Sequence, residues 1–218
     1  MKKIFSLVLL AMFAMGTYAQ IVSSRSTGVT KQEAPADGWS MFYLQWNPSS
    51  FVPDQGSSES FTGLSMGWNK AVSLTPSSPL FLEFGIGLQY SFKKWDKYMG
   101  WDVDVNYSMF SLKAPVQVDY AYNIPNSTIA LIPNAGLDFR FNVGGKMKSD
   151  DVSINLFDKD DMGGSDNTWN RFQVGWHIGL NASFNKKLLL GLSYGSDFSE
   201  IATKTKISTT SLTVGFFF

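Results

Sequence analysis

From Leu80 to Phe92 every second residue is large and apolar: Leu80, Leu82, Phe84, Ile86, Leu88, Tyr90 and Phe92. Between them stand Phe81, Glu83, Gly85, Gly87, Gln89 and Ser91, mostly small or polar. A period of two is a β-strand with one oily face and one wet or crowded face. The run is about twice the roughly 5–6 residues usual in globular strands. It exceeds the roughly 9–11 residues a tilted strand needs to cross a bilayer.

The same pattern predicts seven further strands. Trp39–Asn47 carries Phe42, Leu44 and Trp46 on one face, and Phe61–Ala71 carries Leu64, Met66 and Trp68. Tyr107–Tyr122 sets Phe110, Leu112, Ala114, Val116, Val118 and Tyr120 against Ser111, Lys113, Pro115, Gln117 and Asp119. Thr128–Val143 sets Leu137, Phe139 and Phe141 against Gly136, Asp138 and Arg140. Arg171–Phe184, Leu188–Tyr194 and Thr209–Phe218 complete the set, the last with Leu212, Val214, Phe216 and Phe218 in line. Connections alternate in length. Pro48–Ser60, Lys93–Asn106, Gly144–Asn170 and Gly195–Ser208 are long, whereas Val72–Pro79, Asn123–Ser127 and Asn185–Lys187 are short.

Alternation alone does not say which face is inside. A soluble sandwich or a ligand-binding barrel would bury the oily face. Strand length, alternating loop length, the terminal Gly215-Phe216-Phe217-Phe218 and an opposite face rich in Gly, Ser and Asn favour a membrane barrel. Glycine weakens a solvated strand, but small residues suit the crowded lumen of a narrow barrel. The expected fold is therefore an all-β, eight-stranded antiparallel up-and-down transmembrane barrel over residues 38–218. Eighteen Phe, 8 Tyr and 7 Trp can supply its lipid face and interfacial girdles. Its lipid-facing partner is the outer membrane.

The first residues fit export. Lys2 and Lys3 precede a short apolar run from Ile4 to Met15, and Thr17-Tyr18-Ala19 offers a cleavage site. Residues 1–19 read as a signal peptide and 20–37 as a flexible periplasmic lead-in, with both termini of the barrel in the periplasm of a Gram-negative cell. The chain has no cysteine, which leaves no disulfide and no thiol for a lipid anchor. Its net charge is zero, and without a basic patch interleaved with aromatics nucleic acid is not a partner.

On these residues the chain resembles the small outer-membrane barrels of Bacteroidetes, the PorT-like or outer membrane protein β-barrel domain group, and more distantly the OmpA and OmpX type. The segment Ser111-Leu112-Lys113-Ala114-Pro115-Val116-Gln117-Val118-Asp119-Tyr120 is similar to a leucine-x-x-proline strand common in that group. The terminal Phe218 resembles the aromatic signal read by the barrel-insertion machinery, which the resemblance makes a partner. It implies no activity and no secretion role at any residue.

Chemistry, if present, would sit among the inward ionisable residues Glu83, Lys113, Asp119, Asp138, Arg140, Arg171 and His177. Buried charges survive when paired, so these seven are expected to form a lumenal network, with Lys113 and Asp138 the first pair. His177 is the only histidine. Lipid-modifying and proteolytic barrels would need it beside a Ser, Asp or Glu, but its register points it into the lumen. One His and no Cys leave only carboxylates to complete a zinc site, so no zinc is expected. Asp150, Asp151, Asp158, Asp160, Asp161 and Asp166 crowd one long loop, yet in the run that starts at Asp158 Met162 occupies the fifth position and the twelfth is no Glu, so the calcium-loop pattern fails. Gly85-Ile86-Gly87 lies on a strand and lacks the helix of a nucleotide site. Trp46, Tyr90, Phe92, Trp95, Trp101, Tyr107 and Phe110 are expected in the outer aromatic girdle, and Tyr120, Tyr122, Phe184 and Phe218 in the inner one.

The expected function is that of a non-enzymatic integral outer-membrane protein with a side-chain-filled lumen, structural or surface-interacting, needing no cofactor. An extracellular ligand would meet loops 93–106 and 144–170. The alternatives are a barrel enzyme acting on lipid A or peptides, and a soluble secreted β-barrel binding protein.

Overall fold

The computed structural model describes residues 38–75, 78–96, 104–149, 152–164 and 167–218. The expected signal peptide and lead-in, Trp101, Asp150, Asp151 and Asp166 lie outside the described residues. Ten strands form one sheet: β1 (Trp39–Pro53), β2 (Glu59–Ser73), β3 (Leu80–Trp95), β4 (Val105–Tyr120), β5 (Tyr122–Asn123), β6 (Ile129–Ser149), β7 (Val152–Asn155), β8 (Phe172–Phe184), β9 (Leu188–Asp197) and β10 (Thr205–Phe217). Eight make the wall, each antiparallel to its chain neighbours, in the order β1-β2-β3-β4-β6-β8-β9-β10. Pairing of β1 with β10, from Met41 opposite Phe217 to Pro53 opposite Thr205, closes the barrel. The two short strands pair onto the two ends of β6. Closure leaves the wall no free sheet edge, the condition for a sheet to sit in lipid.

The period of two sorts the side chains as the sequence predicts. Phe42, Leu44, Leu64, Met66, Ile86, Leu88, Ile178, Leu180 and Leu192 face outward, with Ile86 60% exposed. Asn47, Ser65, Asn69, Gln89, Ser111, Asn142, Gln173 and Ser211 are buried inside. An exterior this apolar over a polar interior is what a bilayer solvent demands, since backbone pairing is internal and the outer side chains meet hydrocarbon.

Turns at one end are tight. Asn185 and Lys186 both have positive φ, and Lys187 N donates to Phe184 O at 3.0 Å, a two-residue hairpin of the primed type. At the β4–β6 connection Ser127 N donates to Ile124 O at 3.2 Å around Pro125 and Asn126, the latter at φ 56°. Proline second and a left-handed residue third is the type II signature.

The long connections are shorter than the sequence predicts. β1 runs on to Pro53 and β2 starts at Glu59, while β9 reaches Asp197 and β10 starts at Thr205. Backbone pairing continues where the oily face has stopped, with Phe51 opposite both Glu59 and Ile207. The segment from Gly144, expected as a loop, continues β6 to Ser149 and returns as β7. A register shift between Phe110 and Ser111, where Phe110 faces Gly144 and Ser111 faces Asn142, absorbs one extra residue there.

Two apolar clusters sit inside the barrel, one at each end. Phe61, Tyr107, Met109, Leu156, Phe157, Ile201 and Ile207 form the first, flanked by Phe51, Trp95 and Trp169. Phe51 stacks on Phe61 at 4.4 Å between ring centroids, and Trp169 lies 5.5 Å from Phe51 and 5.9 Å from Tyr107. The segment after β7 is pinned into this mouth, with Leu156 N donating to Gly145 O at 3.0 Å and Trp169 N to Leu156 O at 2.9 Å. Met41, Ala71, Phe81, Ala121, Ile132 and Leu189, with Trp39 and Phe217 beside them, form the second cluster. Tyr107 and Trp95 therefore leave the expected outer girdle: their parity turns them inward, and Tyr107 is fully buried. Trp46, Tyr90, Phe92 and Phe110 do face outward, as do Tyr120, Tyr122 and Phe218 at the other end.

Candidate functional site

Between the plugs the lumen holds a polar core around a cavity of about 80 Å³ lined by Tyr43, Gln45, Lys113, Asp138, Arg140 and His177 among others. Its shape follows from one row across the wall. Tyr43 of β1 faces Gly67 of β2, which faces Gly87 of β3, then Lys113 of β4, Arg140 of β6 and Gln173 of β8. With no side chain at Gly67 or Gly87, the Tyr43 ring lies across both, and a Cβ at Gly87 would strike its hydroxyl. The far side of the row carries the long polar groups.

Three linked sets of hydrogen bonds fill this space. In the first, Arg140 Nη2 donates to Asp197 Oδ2 and Arg140 Nε to Gln173 Oε1 at 3.1 Å. Gln173 Nε2 donates to the same Asp197 oxygen at 3.0 Å, and Asn142 Nδ2 donates to Gln173 Oε1 at 3.0 Å. In the second, His177 Nδ1 is 2.8 Å from Asp138 Oδ2 and Nε2 is 2.9 Å from Gln117 Oε1. In the third, Glu83 accepts from Trp39 Nε1 at 2.9 Å, Asn69 Nδ2 at 2.7 Å and Gln117 Nε2 at 3.3 Å, while the same Gln117 nitrogen donates to Asp119 Oδ1 at 2.7 Å. Because the Gln117 amide nitrogen is committed to carboxyls, its oxygen faces the histidine as an acceptor. Both ring nitrogens thus lie against side-chain oxygens, Asp138 Oδ2 and Gln117 Oε1.

Six of the seven sequence-chosen residues come together here, with Glu83 2% and Asp119 0% exposed and Asp138 in contact with His177. Arg171 does not. It lies exposed at the rim of the long-hairpin end, where Nη1 donates to Val143 O at 2.8 Å and the guanidinium rests 4.7 Å from the Phe157 ring centre. β8 starts only at Phe172, so Arg171 follows the inward parity without the wall to hold it inside. The expected Lys113–Asp138 pair is also replaced. Lys113 stands directly opposite Arg140, an unfavourable like-charge position. Its Nζ leans across the lumen to Gln45 Oε1 at 3.3 Å, and Asp138 goes to His177.

Asp197 is the ion-pair partner that sequence reasoning missed, because the seventh strand was expected to end at Tyr194. The inward series Gly191, Ser193, Gly195, Asp197 continues the period of two and carries that signal. Among the described residues no cluster of three or more His, Cys, Asp or Glu is placed to hold a metal. Asp158, Asp160 and Asp161 serve their own turn, with Asp160 N donating to Asp158 Oδ1 at 2.9 Å and Asn155 N to Asp161 Oδ2 at 2.8 Å.

Compared with known families, residues 43–217 match the model for the outer membrane protein beta-barrel domain. The chain belongs to that family. The match reaches all eight strands of the wall, so this family member is an outer-membrane β-barrel in location and architecture. No curated protein matches the sequence. Among solved structures it is similar to the neisserial surface protein NspA, at 12% identity over 81% of this chain and 96% of that one, with a TM-score of 0.52, which shows the shared fold. It is also similar to Ail of Yersinia pestis, solved with the heparin analogue sucrose octasulfate (13% identity, 84% and 99% covered, TM-score 0.47). The outer membrane enzyme PagL is another (13%, 79% and 98%, 0.44). The polar core of this family barrel lies between the two apolar clusters, and the described rim at the long-hairpin end is built from β-hairpins and the pinned segment after β7.

Proposed function

We propose that this barrel is a non-enzymatic, closed outer-membrane protein that works through its extracellular end, as a structural or surface-contacting element. The observation that carries this reading is the double plug. Apolar side chains fill both mouths, so the polar core between them is neither a path for solutes nor a cleft for substrate. His177 supports it further: its two nitrogens are held by Asp138 and Gln117, and neither faces a hydroxyl that it could activate. In this reading the primed and type II turns lie in the periplasm with both termini, residues 1–19 direct export, Phe218 addresses the insertion machinery, and segments 93–106 and 144–170 offer the outer surface for a partner.

The test is functional reconstitution of the purified barrel. Planar-bilayer recordings are expected to show no stable ohmic conductance, and lipid A incubated with the protein is expected to keep all its acyl chains. Steady acyl release or peptide cleavage abolished by His177→Ala would replace this reading with the enzymatic one.

A further inference from the structure

Two buried acceptors in the described lumen have no partner: Asp119 Oδ2 and Asn69 Oδ1. The first belongs to a fully buried carboxyl group within hydrogen-bond reach of a second, Glu83. Two ionised carboxylates in such contact repel in a medium that screens poorly. Among the described residues no Lys or Arg hydrogen-bonds to either carboxyl, and His177 lies on Asp138 and Gln117 rather than on the pair. Lys113 Nζ donates to Gln45, and the Arg140 guanidinium donates to Gln173 and Asp197. The titratable groups around the pair are Tyr43 of β1, Lys113 of β4, Asp138 of β6 and His177 of β8. The donors that do reach the pair are unequally shared. Glu83 receives three N–H groups, whereas Asp119 receives one, on Oδ1.

We propose that Glu83 and Asp119 form an acid pair that binds a single proton, carried on Asp119 Oδ2 and donated to Glu83, as a built-in proton site just inside the periplasmic-end plug. The proton turns the orphaned oxygen into a donor and leaves the charge on the carboxylate that three N–H groups already stabilise. A metal ion fits less well, because three N–H groups point at Glu83 and occupy the lone pairs a cation would need. The pair abuts the plug directly, Asp119 facing Phe81 across the β3–β4 ladder. Loss of the proton would place unshared charge against that apolar seal.

A native state that holds one proton more than the unfolded chain loses stability as pH rises. Between about pH 5 and 6 unfolded carboxyls are ionised, and comparison with a variant lacking only the Asp119 carboxyl cancels the groups common to both chains. The experiment measures folding of the full barrel into lipid vesicles by denaturant titration across that window. The wild-type unfolding constant is expected to rise about tenfold per pH unit relative to Asp119→Asn, whose amide donates to Glu83 without a titrating proton. Infrared spectra of the folded wild type should show a carboxylic-acid C=O stretch at neutral pH that Asp119→Asn removes and Asp138→Asn keeps. Glu83→Gln should fold worse than Asp119→Asn, since it turns an amide nitrogen toward three N–H groups. A wild type without the acid stretch, an equal pH slope in wild type and Asp119→Asn, or a stoichiometric metal ion in the purified barrel would each overturn the proposal.

Discussion

Replacing Arg140 by Met removes the donor that holds Asp197 inside the barrel. Both side chains are less than a tenth exposed, so solvent does little to soften the loss. Gln173 would still donate to Asp197, but the buried carboxylate would have no cation in contact. Removing one partner of a buried ion pair costs about 3–5 kcal/mol, a factor of roughly a hundred to a few thousand in the unfolding constant at about 1.4 kcal/mol per tenfold. Lys113→Met is the informative comparison. Its ammonium has one long bond to a neutral amide at 3.3 Å, and Asp138 keeps His177, so no anion loses its only partner. A charged hydrogen bond of this kind is worth about 1.5–3 kcal/mol, and Lys113→Met should cost no more than that. The double variant Arg140→Met with Asp197→Asn should recover about 0.5–3 kcal/mol of the single loss. The assay is equilibrium unfolding in vesicles, read by the mobility shift between folded and heat-denatured barrel on gels. If Lys113→Met costs as much as Arg140→Met, or the double variant recovers nothing, the pairing described here is wrong.

Outward charge should be expensive: Ile86→Arg and Ile178→Arg, at positions more than half exposed to the exterior, should each cost about 2–4 kcal/mol on insertion. Ser57→Arg in the exposed β1–β2 turn should cost nothing measurable in the same vesicles. Gly87→Ala should destabilise by about 1–3 kcal/mol as an overpacked site, because its Cβ meets the Tyr43 hydroxyl, whereas Gly144→Ala, with open space around it, should be near neutral; equal effects in the same titration would refute the packing of Tyr43 over the glycines. Trp169→Ala should loosen the plug at the long-hairpin end without opening a pore, since Phe81, Met41 and Ile132 still fill the other mouth; stable bilayer currents from this variant would show that the second cluster does not seal.

The period of two by itself determined the wall. Ile86 out and Gln89 in, Leu137 out and Asp138 in, Ile178 out and His177 in: each pair is legible from neighbouring letters, because a strand turns successive side chains to opposite faces whatever the strand is paired with. Eight such runs with alternating long and short links leave little choice but an up-and-down barrel. What crosses the lumen was not legible. Lys113 reaching Gln45, His177 reaching Gln117 and Arg140 reaching Asp197 join residues 68, 60 and 57 positions apart. Those meetings depend on ladder register and on closure through β1 and β10, which no single strand encodes. The plugs were hidden for a related reason. Phe51, Phe61, Phe81 and Tyr107 sit at inward positions near strand ends, where they read as breaks in the alternation or as girdle aromatics. Only the closed barrel gathers Phe51, Phe61 and Tyr107 at one end and sets Phe81 against Trp39 at the other, where burial costs less than leaving them in a wet lumen.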